Sequence, residues 1–454
     1  MPCCGTLNQL VQVLAVKPVL SNTQLTSQFT GINTDTRAIK PGEVFVALRG
    51  EKFDGHKFVS VALEKGAIAA IVDSDFELEQ NQYSLLQVED TLKAYQQIAH
   101  WWRQRFSIPV IAITGSVGKT TTKELIAAVL ATQGHVLKTQ ANYNNEIGVP
   151  KTLLELGSEH KYAVIEMAMR AKGEIALLTQ ITCPTIGVIT NVGTAHIERL
   201  GSEQAIAEAK CELLAKMPSS AVAILNQDNS RLMATAATVW RGQTVTYGLE
   251  GGDLHGEVAD TQVLVDGMQL ALPLAGRHNA TNFLAALAVA KVLQINWSCL
   301  KAGLVVDMPS GRSQRHELPN DVVILDETYN AAPEAMRAAL HLLAETPGKR
   351  RIAVLGAMKE LGERSLQLHQ EVGKLVNQLN IDLLIVLVDG EDAEAIIQSA
   401  ESTSVECFSS REGIVERLKE VVREGDRILV KAAHSVGLDR VVNQFCADCA
   451  NFER

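Results

Sequence analysis

The sequence predicts a three-domain α/β protein: a small N-terminal α/β domain, a central domain on a mainly parallel sheet, and a C-terminal Rossmann-like domain. Three observations predict it. At 454 residues the chain is long enough for about three domains of ordinary size. Short apolar runs alternate with stretches of helical period along most of it, the pattern of parallel sheets with helices on both faces. One such run, Ile111-Ala-Ile-Thr114, passes through a glycine-containing loop straight into a helical pattern.

The first domain is read as residues 1–87. Leu7 to Val16 has helical period, and Glu43–Leu48 and Ala67–Val72 read as strands. Between them, residues 50–58 are rich in glycine, charge and histidine. That suits a surface loop, either bland or beside a ligand. Asp90 or Thr91 can cap the next helix. Leu92, Tyr95, Ile98, Trp102 and Phe106 then recur at helical spacing, so Trp101 and Trp102 are expected to pack.

The central domain is read as 88–315. Strand-like runs lie at 109–114, 162–165 and 185–190, with helical patterns at 120–132 and 202–216. In such sheets ligands collect beyond the carboxyl ends of the strands. Ile111-Ala-Ile-Thr-Gly-Ser-Val-Gly-Lys-Thr-Thr-Thr122 sits at one such end. Its glycines let backbone N–H groups converge on one point, and the helix adds its positive end. Lys119 can reach outer phosphates and the Thr120 hydroxyl can bind Mg²⁺. This is the central domain of a P-loop ATPase type. The usual motif has a glycine six residues before the lysine, and here that position is Ile113.

Other polar residues stand at strand ends. Glu166 follows Tyr162-Ala-Val-Ile165, and Asn191 and His196 follow Ile186–Thr190. A carboxylate and an imidazole there could join Thr120 around Mg²⁺. A hard cation prefers oxygen, so His196 reads as either a ligand or a satisfied polar residue. Lys210 by itself reads as a solvated helix lysine. Gly276–Asn282 precedes a helix expected over 283–293, as a capped start or as a way to present Asn282 to a base.

The last domain is read as 316–454. Strands are expected at 322–325, 351–355, 383–388 and 427–430, with helices between. It has no G-x-G-x-x-G, so no dinucleotide is assigned. Arg312 and Asp326-Glu-Thr-Tyr-Asn330 lie near the junction. They read as a turn or as a site where an acidic group meets a ribose and Tyr329 stacks on a base.

Composition narrows the classes. Apolar residues make up 46%, charged residues 21%, and the net charge is −10. There is no basic stretch, which argues against nucleic acid. No apolar run approaches membrane-spanning length, and no signal pattern opens the chain. The expected location is cytoplasmic. The eight cysteines are scattered. Cys446-x-x-Cys449 lacks partners for a zinc set and reads as free thiols on one face of a terminal helix.

Together these residues resemble the Mur ligase family, the ATP-dependent amide-forming enzymes of bacterial cell-wall synthesis. The resemblance runs over essentially the whole chain. Thr114-Gly-Ser-Val-Gly-Lys-Thr-Thr121 matches the family's shortened phosphate loop. Asn144-Asn-Glu-Ile-Gly-Val-Pro150, Thr328–Pro333, Met358–Ser365 and His369 resemble the branch that adds D-alanyl-D-alanine to UDP-N-acetylmuramoyl-tripeptide. The Asp-Asn-Pro-Arg motif of the branch adding a diamino acid is absent. A ligase for a different amino acid, or a nucleotide-binding regulator on the same fold, is the competing reading.

The resemblance implies roles. ATP and Mg²⁺ are the implied cofactors. Gly115, Ser116, Val117, Gly118, Lys119, Thr120 and Thr121 would hold the phosphates. Asn282, Arg312, Asp326 or Glu327, and Tyr329 would hold the nucleoside. Thr120, Glu166, His196 and Lys210 match metal positions, Lys210 as a carbamate. Lys119, Lys210 and His196 would serve catalysis. Asp35, Thr36, Arg37, Asp54, Gly55 and His56 look like the part that receives the UDP-sugar, with Asn145, Asn330 and Lys431 as further substrate contacts. The two substrates would be the only partners, and the chain a monomer. Three positions depart from the family pattern: Glu327 where Asp is common, Ala168 where Gly is common, and His434 where Arg is usual.

Overall fold

The computed structural model describes residues 2–16, 22–51, 53–76 and 84–451. Three sheets dominate it, each in its own stretch of chain. Gly5–Thr6 (β1) and Gln28–Phe29 (β2) form a small antiparallel pair. Ile32–Asn33 (β3), Val44–Val46 (β4), Ala69–Asp73 (β5) and Leu85–Val88 (β6) make a parallel sheet in sequence order. The helix Thr91–Arg103 leads out of it, capped by Asp90 through the Lys93 N–H at 3.0 Å. Tyr95, Ile98 and Trp102 are buried along that helix, as its apolar period requires.

The central sheet has nine strands. They are Val110–Thr114 (β7), Val136–Lys138 (β8), Tyr162–Glu166 (β9), Ile186–Ile189 (β10), Val222–Asn226 (β11), Gln243–Gly248 (β12), Leu254–Ala259 (β13), Gln262–Val265 (β14) and Met268–Ala271 (β15). Their order is β15-β14-β13-β12-β11-β10-β7-β9-β8, parallel from β8 to β13 and antiparallel over the last two. The antiparallel end is the part the alternating pattern did not announce. β7 is buried on both faces. Val110 and Ala112 join the core that includes Leu178 and Leu213, whereas Ile111 and Ile113 join the one that includes Leu125 and Phe283. Each of the valine, isoleucine and leucine side chains among these stabilises the fold by roughly 1.5–3 kcal/mol through burial.

The third sheet comprises Gln314–Leu318 (β16), Val322–Asp326 (β17), Arg350–Leu355 (β18), Leu383–Leu387 (β19), Ser404–Phe408 (β20) and Asp426–Lys431 (β21). Its order is β16-β17-β21-β18-β19-β20, parallel except for β16. Cys446 and Cys449 are free thiols on the terminal helix Asp439–Asn451. Among the described residues no helix is long and apolar enough to cross a membrane.

Two expectations need correction. The helix expected from 283 begins at Arg277, so the Gly276–Asn282 cluster is mostly its first two turns. Gly276 caps it without a side-chain bond, leaving Asn279 and Asn282 one turn apart on one face. In the 50–58 segment, Gly55–Phe58 forms a 3-10 turn with His56 buried, so this part is ordered packing. Lys52 lies outside the described residues.

Candidate functional site

β9, β7 and β10 are neighbours, and their carboxyl ends bring three predicted segments together. Ile113 pairs with both Glu166 and Val188, and Thr114 pairs with Ile189. The loop between β7 and the helix Lys119–Ala131 is tied to the β10 end. The Val117 N–H donates to Asn191 Oδ1 at 3.0 Å, and the Thr190 hydroxyl donates to the Val117 carbonyl at 2.7 Å. The Ser116 N–H donates to the Asn191 carbonyl at 3.0 Å, and Ser116 Oγ accepts from the Gly193 N–H at 2.9 Å. A Cβ at Gly115 would come within 1.9 Å of Thr190 Oγ1, and Gly118 holds φ +79°. Both positions therefore require glycine.

Lys119 Nζ donates to the carbonyls of Gly115 and Ser116 at 2.9 and 3.3 Å. Burial pushes its ammonium below the ordinary lysine value; Glu166 opposes this and Arg312 adds to it. Thr120 and Thr121 are buried beside it on the first helical turn.

Glu166 is also buried. Its Oε1 accepts from Asn144 Nδ2 at 2.8 Å, while Oε2 has no partner. A buried carboxylate oxygen left unsatisfied is costly and suits a cation. Among the described residues no three His, Cys, Asp or Glu side chains converge as a metal cage. That fits Mg²⁺, which uses one or two protein carboxylates and completes its shell with phosphates and waters. The donors present, Glu166 and the Thr120 hydroxyl, suit it.

Lys210, expected in solvent, is 2% exposed on the helix Glu203–Lys216. Among the described residues it has no hydrogen-bond or ion-pair partner. Burial, with Lys119 nearby, pushes its amine well below the ordinary value. Reading an isolated lysine as solvated fails because a single polar residue on a helix does not show that its face packs inward, and this one is buried near Lys119. His196 stands in the left-handed region at φ +67°, and its Nδ1 contacts Glu360 Oε2 at 2.5 Å.

The third sheet closes the site. A cavity of about 660 Å³ lies between the phosphate loop, the helix Arg277–Val292 and the carboxyl ends of β17 and β21. Ser116 to Thr121, His196, Asn282, Arg312, Glu327, Tyr329, Asn330 and Lys431 all line it. The Arg312 guanidinium lies 3.8 Å from the centre of the Tyr329 ring, and His434 stacks on the same ring at 5.5 Å. Lys431 Nζ donates to the carbonyls of Asn330 and Glu327 at 2.8 and 3.2 Å. Burial lowers the Lys431 ammonium against the pull of Glu327, and burial raises the Glu327 carboxyl against the pull of Lys431.

Several predicted residues lie off this cavity. Asp326 faces inward: its Oδ1 accepts from the Thr328 N–H at 3.1 Å and the Thr328 hydroxyl at 2.6 Å. It braces the turn that presents Glu327 and Tyr329. Asn145 Oδ1 accepts from the Gly148 N–H at 2.9 Å, a local turn bond. In the first domain, Asp35 chelates the Arg37 guanidinium at 2.7–3.1 Å, and both side chains are exposed. That bond holds the Asp35 carboxyl down at about 2. The Thr36 carbonyl accepts from Lys65, and the Gly55 N–H donates to the Leu48 carbonyl. His56 is bonded on both ring nitrogens, to Asp54 Oδ1 at 2.7 Å and the Asp73 N–H at 3.0 Å, so it has no ring nitrogen to spare for a ligand.

Sequence reasoning missed Glu334 and Glu360, both lining the cavity from the third domain. Glu334 Oε1 accepts from the Thr194 N–H and hydroxyl at 2.7 and 3.0 Å. Its one local signal was Pro333 ahead of it, which opens a helix. Nothing local marks a carboxylate that serves another domain.

Three family descriptions match the chain: "Mur ligase family, catalytic domain" over residues 28–103, "Mur ligase middle domain" over 113–290 and "Mur ligase, glutamate ligase domain" over 311–434. A UDP-N-acetylmuramoyl-tripeptide–D-alanyl-D-alanine ligase of Synechocystis sp. is 56% identical over 432 residues, covering 95% of each chain. The Escherichia coli enzyme of that name is 37% identical over 96% of this chain and 97% of its own. Among solved structures, MurF from Acinetobacter baumannii superposes with a TM-score of 0.88 at 29% identity, covering 98% of this chain and 99% of that one. MurF ligase from Thermotoga maritima, solved with ADP, gives 0.83 at 31% identity, covering 93% and 98%. With all three sheets, the phosphate loop and the closing third domain matched in this way, the chain belongs to the Mur ligase family.

Proposed function

We infer that this protein is an ATP-dependent ligase that joins D-alanyl-D-alanine to UDP-N-acetylmuramoyl-tripeptide, releasing ADP and phosphate, in peptidoglycan precursor synthesis. The observation that carries this reading is the 56% identity to a ligase of that name along 95% of both chains. The site is built for it.

A carboxylate oxygen is a poor leaving group. Its attack on the γ-phosphate of ATP gives an acyl phosphate and ADP, and the dipeptide amine then displaces phosphate from the acyl carbon. In this reading Lys119 and the N-terminal end of its helix take up phosphate charge. Arg312, Tyr329 and Asn282 hold the nucleoside, with Glu327 rather than Asp326 facing the cavity. Glu166, Thr120, His196 and a carbamylated Lys210 would hold Mg²⁺, which supplies charge neutralisation at the phosphates. Asp35–Arg37 and the Asp54–His56 turn belong to the domain that would carry the UDP-sugar, His56 as its internal brace. Lys431 and Asn330 form the wall on the third-domain side. The seam made by Glu334–Thr194, Glu360–His196 and Arg364–Glu203 holds the third domain against the central one, the closed arrangement that the acyl phosphate needs for protection from water.

The test is ADP release with UDP-N-acetylmuramoyl-tripeptide, with and without D-alanyl-D-alanine. Sustained turnover is expected only with both. Equal turnover with another amino acid in place of the dipeptide would refute the assignment.

A further inference from the structure

His196 and Glu360 meet across the seam between the central and third domains, and both are unusual. Each is a non-glycine residue in the left-handed region, at φ +67° and +62°. Such backbone is strained and persists where surrounding structure over-determines it. Both carboxylate oxygens of Glu360 are used. Oε2 contacts His196 Nδ1 at 2.5 Å and Oε1 accepts from Arg199 at 3.4 Å. The Glu198 N–H donates to the Glu360 carbonyl at 3.4 Å. The loop that carries Glu360 is itself pinned: the Met358 N–H donates to the buried His369 Nε2 at 2.9 Å.

A neutral imidazole that donates from Nδ1 to a carboxylate keeps its lone pair on Nε2. A carboxylate behind a histidine fixes its ring and raises its strength as a ligand. Here that carboxylate comes from a different domain than the histidine.

We propose that Glu360 is a positioning residue that couples seating of the third domain to divalent-cation binding, by holding His196 through Nδ1 with Nε2 left for the metal. The inference rests on the reading of His196 as a metal-facing residue. When the third domain is seated, the ring is fixed and the cation binds more tightly. By linkage, the cation favours the seated arrangement by the same factor. The enzyme then assembles its complete charge-neutralising site only when the domains are together.

The test uses the full-length chain with ADP and Mn²⁺ as the probe cation. Free Mn²⁺ is followed by electron paramagnetic resonance, and domain seating by solution X-ray scattering. Glu360 is partly exposed in a loop, so its loss leaves the core untouched. In Glu360→Gln the Mn²⁺ Kd is expected to rise about tenfold, and Mn²⁺ no longer compacts the particle. Glu360→Asp, one methylene shorter, gives an intermediate loss. The exposed neighbour variant Glu363→Gln behaves as wild type. His196→Ala weakens Mn²⁺ as well, and adding Glu360→Gln to it weakens Mn²⁺ no further. Wild-type Mn²⁺ affinity in both Glu360 variants, beside a weakened His196→Ala, overturns the proposal. Unchanged affinity in His196→Ala instead removes the metal reading of His196, and the proposal falls with it. Strictly additive losses in the double variant also overturn it.

Discussion

Asn144 Nδ2 donates to Glu166 Oε1 at 2.8 Å, and Glu166 Oε2 is left buried without a partner. One oxygen is thus fixed by the loop after β8, and the buried carboxylate acts on the Lys119 ammonium, opposing the lowering that burial causes there. The Glu166 backbone is fixed too: its N–H donates to Thr139 Oγ1 at 2.9 Å. The arrangement fixes a carboxylate that keeps one buried oxygen unsatisfied. In Asn144→Ala, the Mg²⁺ concentration giving half-maximal ADP release should rise about tenfold, with the rate at saturating Mg²⁺ largely kept. A Mg²⁺ titration of initial rate checks this, and an unchanged midpoint speaks against Glu166 as a ligand.

Lys210 is buried, unpartnered among the described residues and held toward its neutral form by burial and Lys119. A neutral amine is the form that adds CO₂. Lys210→Ala should lower kcat by about 100-fold, the scale of losing one preorganised charge-stabilising group. Short carboxylic acids should restore part of it. Intact-protein mass measurement under CO₂ checks for the carbamate, and full activity in the variant rejects it.

The Tyr329 ring holds the Arg312 guanidinium at 3.8 Å, a cation–π contact worth about 0.5–1 kcal/mol. Tyr329→Leu removes the contact and frees Arg312. The KM for ATP should rise about 2- to 5-fold, the factor those energies imply, while Tyr329→Phe stays close to wild type. Steady-state kinetics with varied ATP distinguishes the two. Equal effects of Leu and Phe would assign the role to the hydroxyl.

His278 lines the same cavity. Burial and then the nearby Lys431 ammonium push it down to about 4 from 6.5. Between those values the unfolded chain takes up a proton that the folded chain refuses, so stability falls as pH drops from 6.5 toward 4. His278→Asn should flatten that part of the profile. Urea midpoints measured across pH 4–7 test it, and parallel slopes in the two proteins count against it.

The phosphate loop was legible because its chemistry is local. Glycines, Lys119 and Thr120 are adjacent in sequence, and the strand before them and helix after them are short-range patterns. Glu166 and His196 were legible as candidates because strand ends in a parallel sheet converge. Lys210 was misread without the family resemblance, since one polar residue on a helix does not say which side is covered. The two acids at 326 and 327 were indistinguishable in sequence. Alternation along the chain end of β17 sends Asp326 inward to Thr328 and Glu327 toward the cavity.

Residue order was enough to give the α/β layering, the phosphate loop and, through its motifs, the family. Those rest on periodicities and spacings of a few residues. Tertiary structure alone decided that Glu334 and Glu360 reach from the third domain onto Thr194 and His196, 140 and 164 residues away in sequence. It also decided that Asn144 braces Glu166, that Lys210 is buried, and that His434 lies against Tyr329. Contacts of that kind depend on how separate sheets pack, and no local residue pattern encodes which carboxylate meets which imidazole across a domain seam.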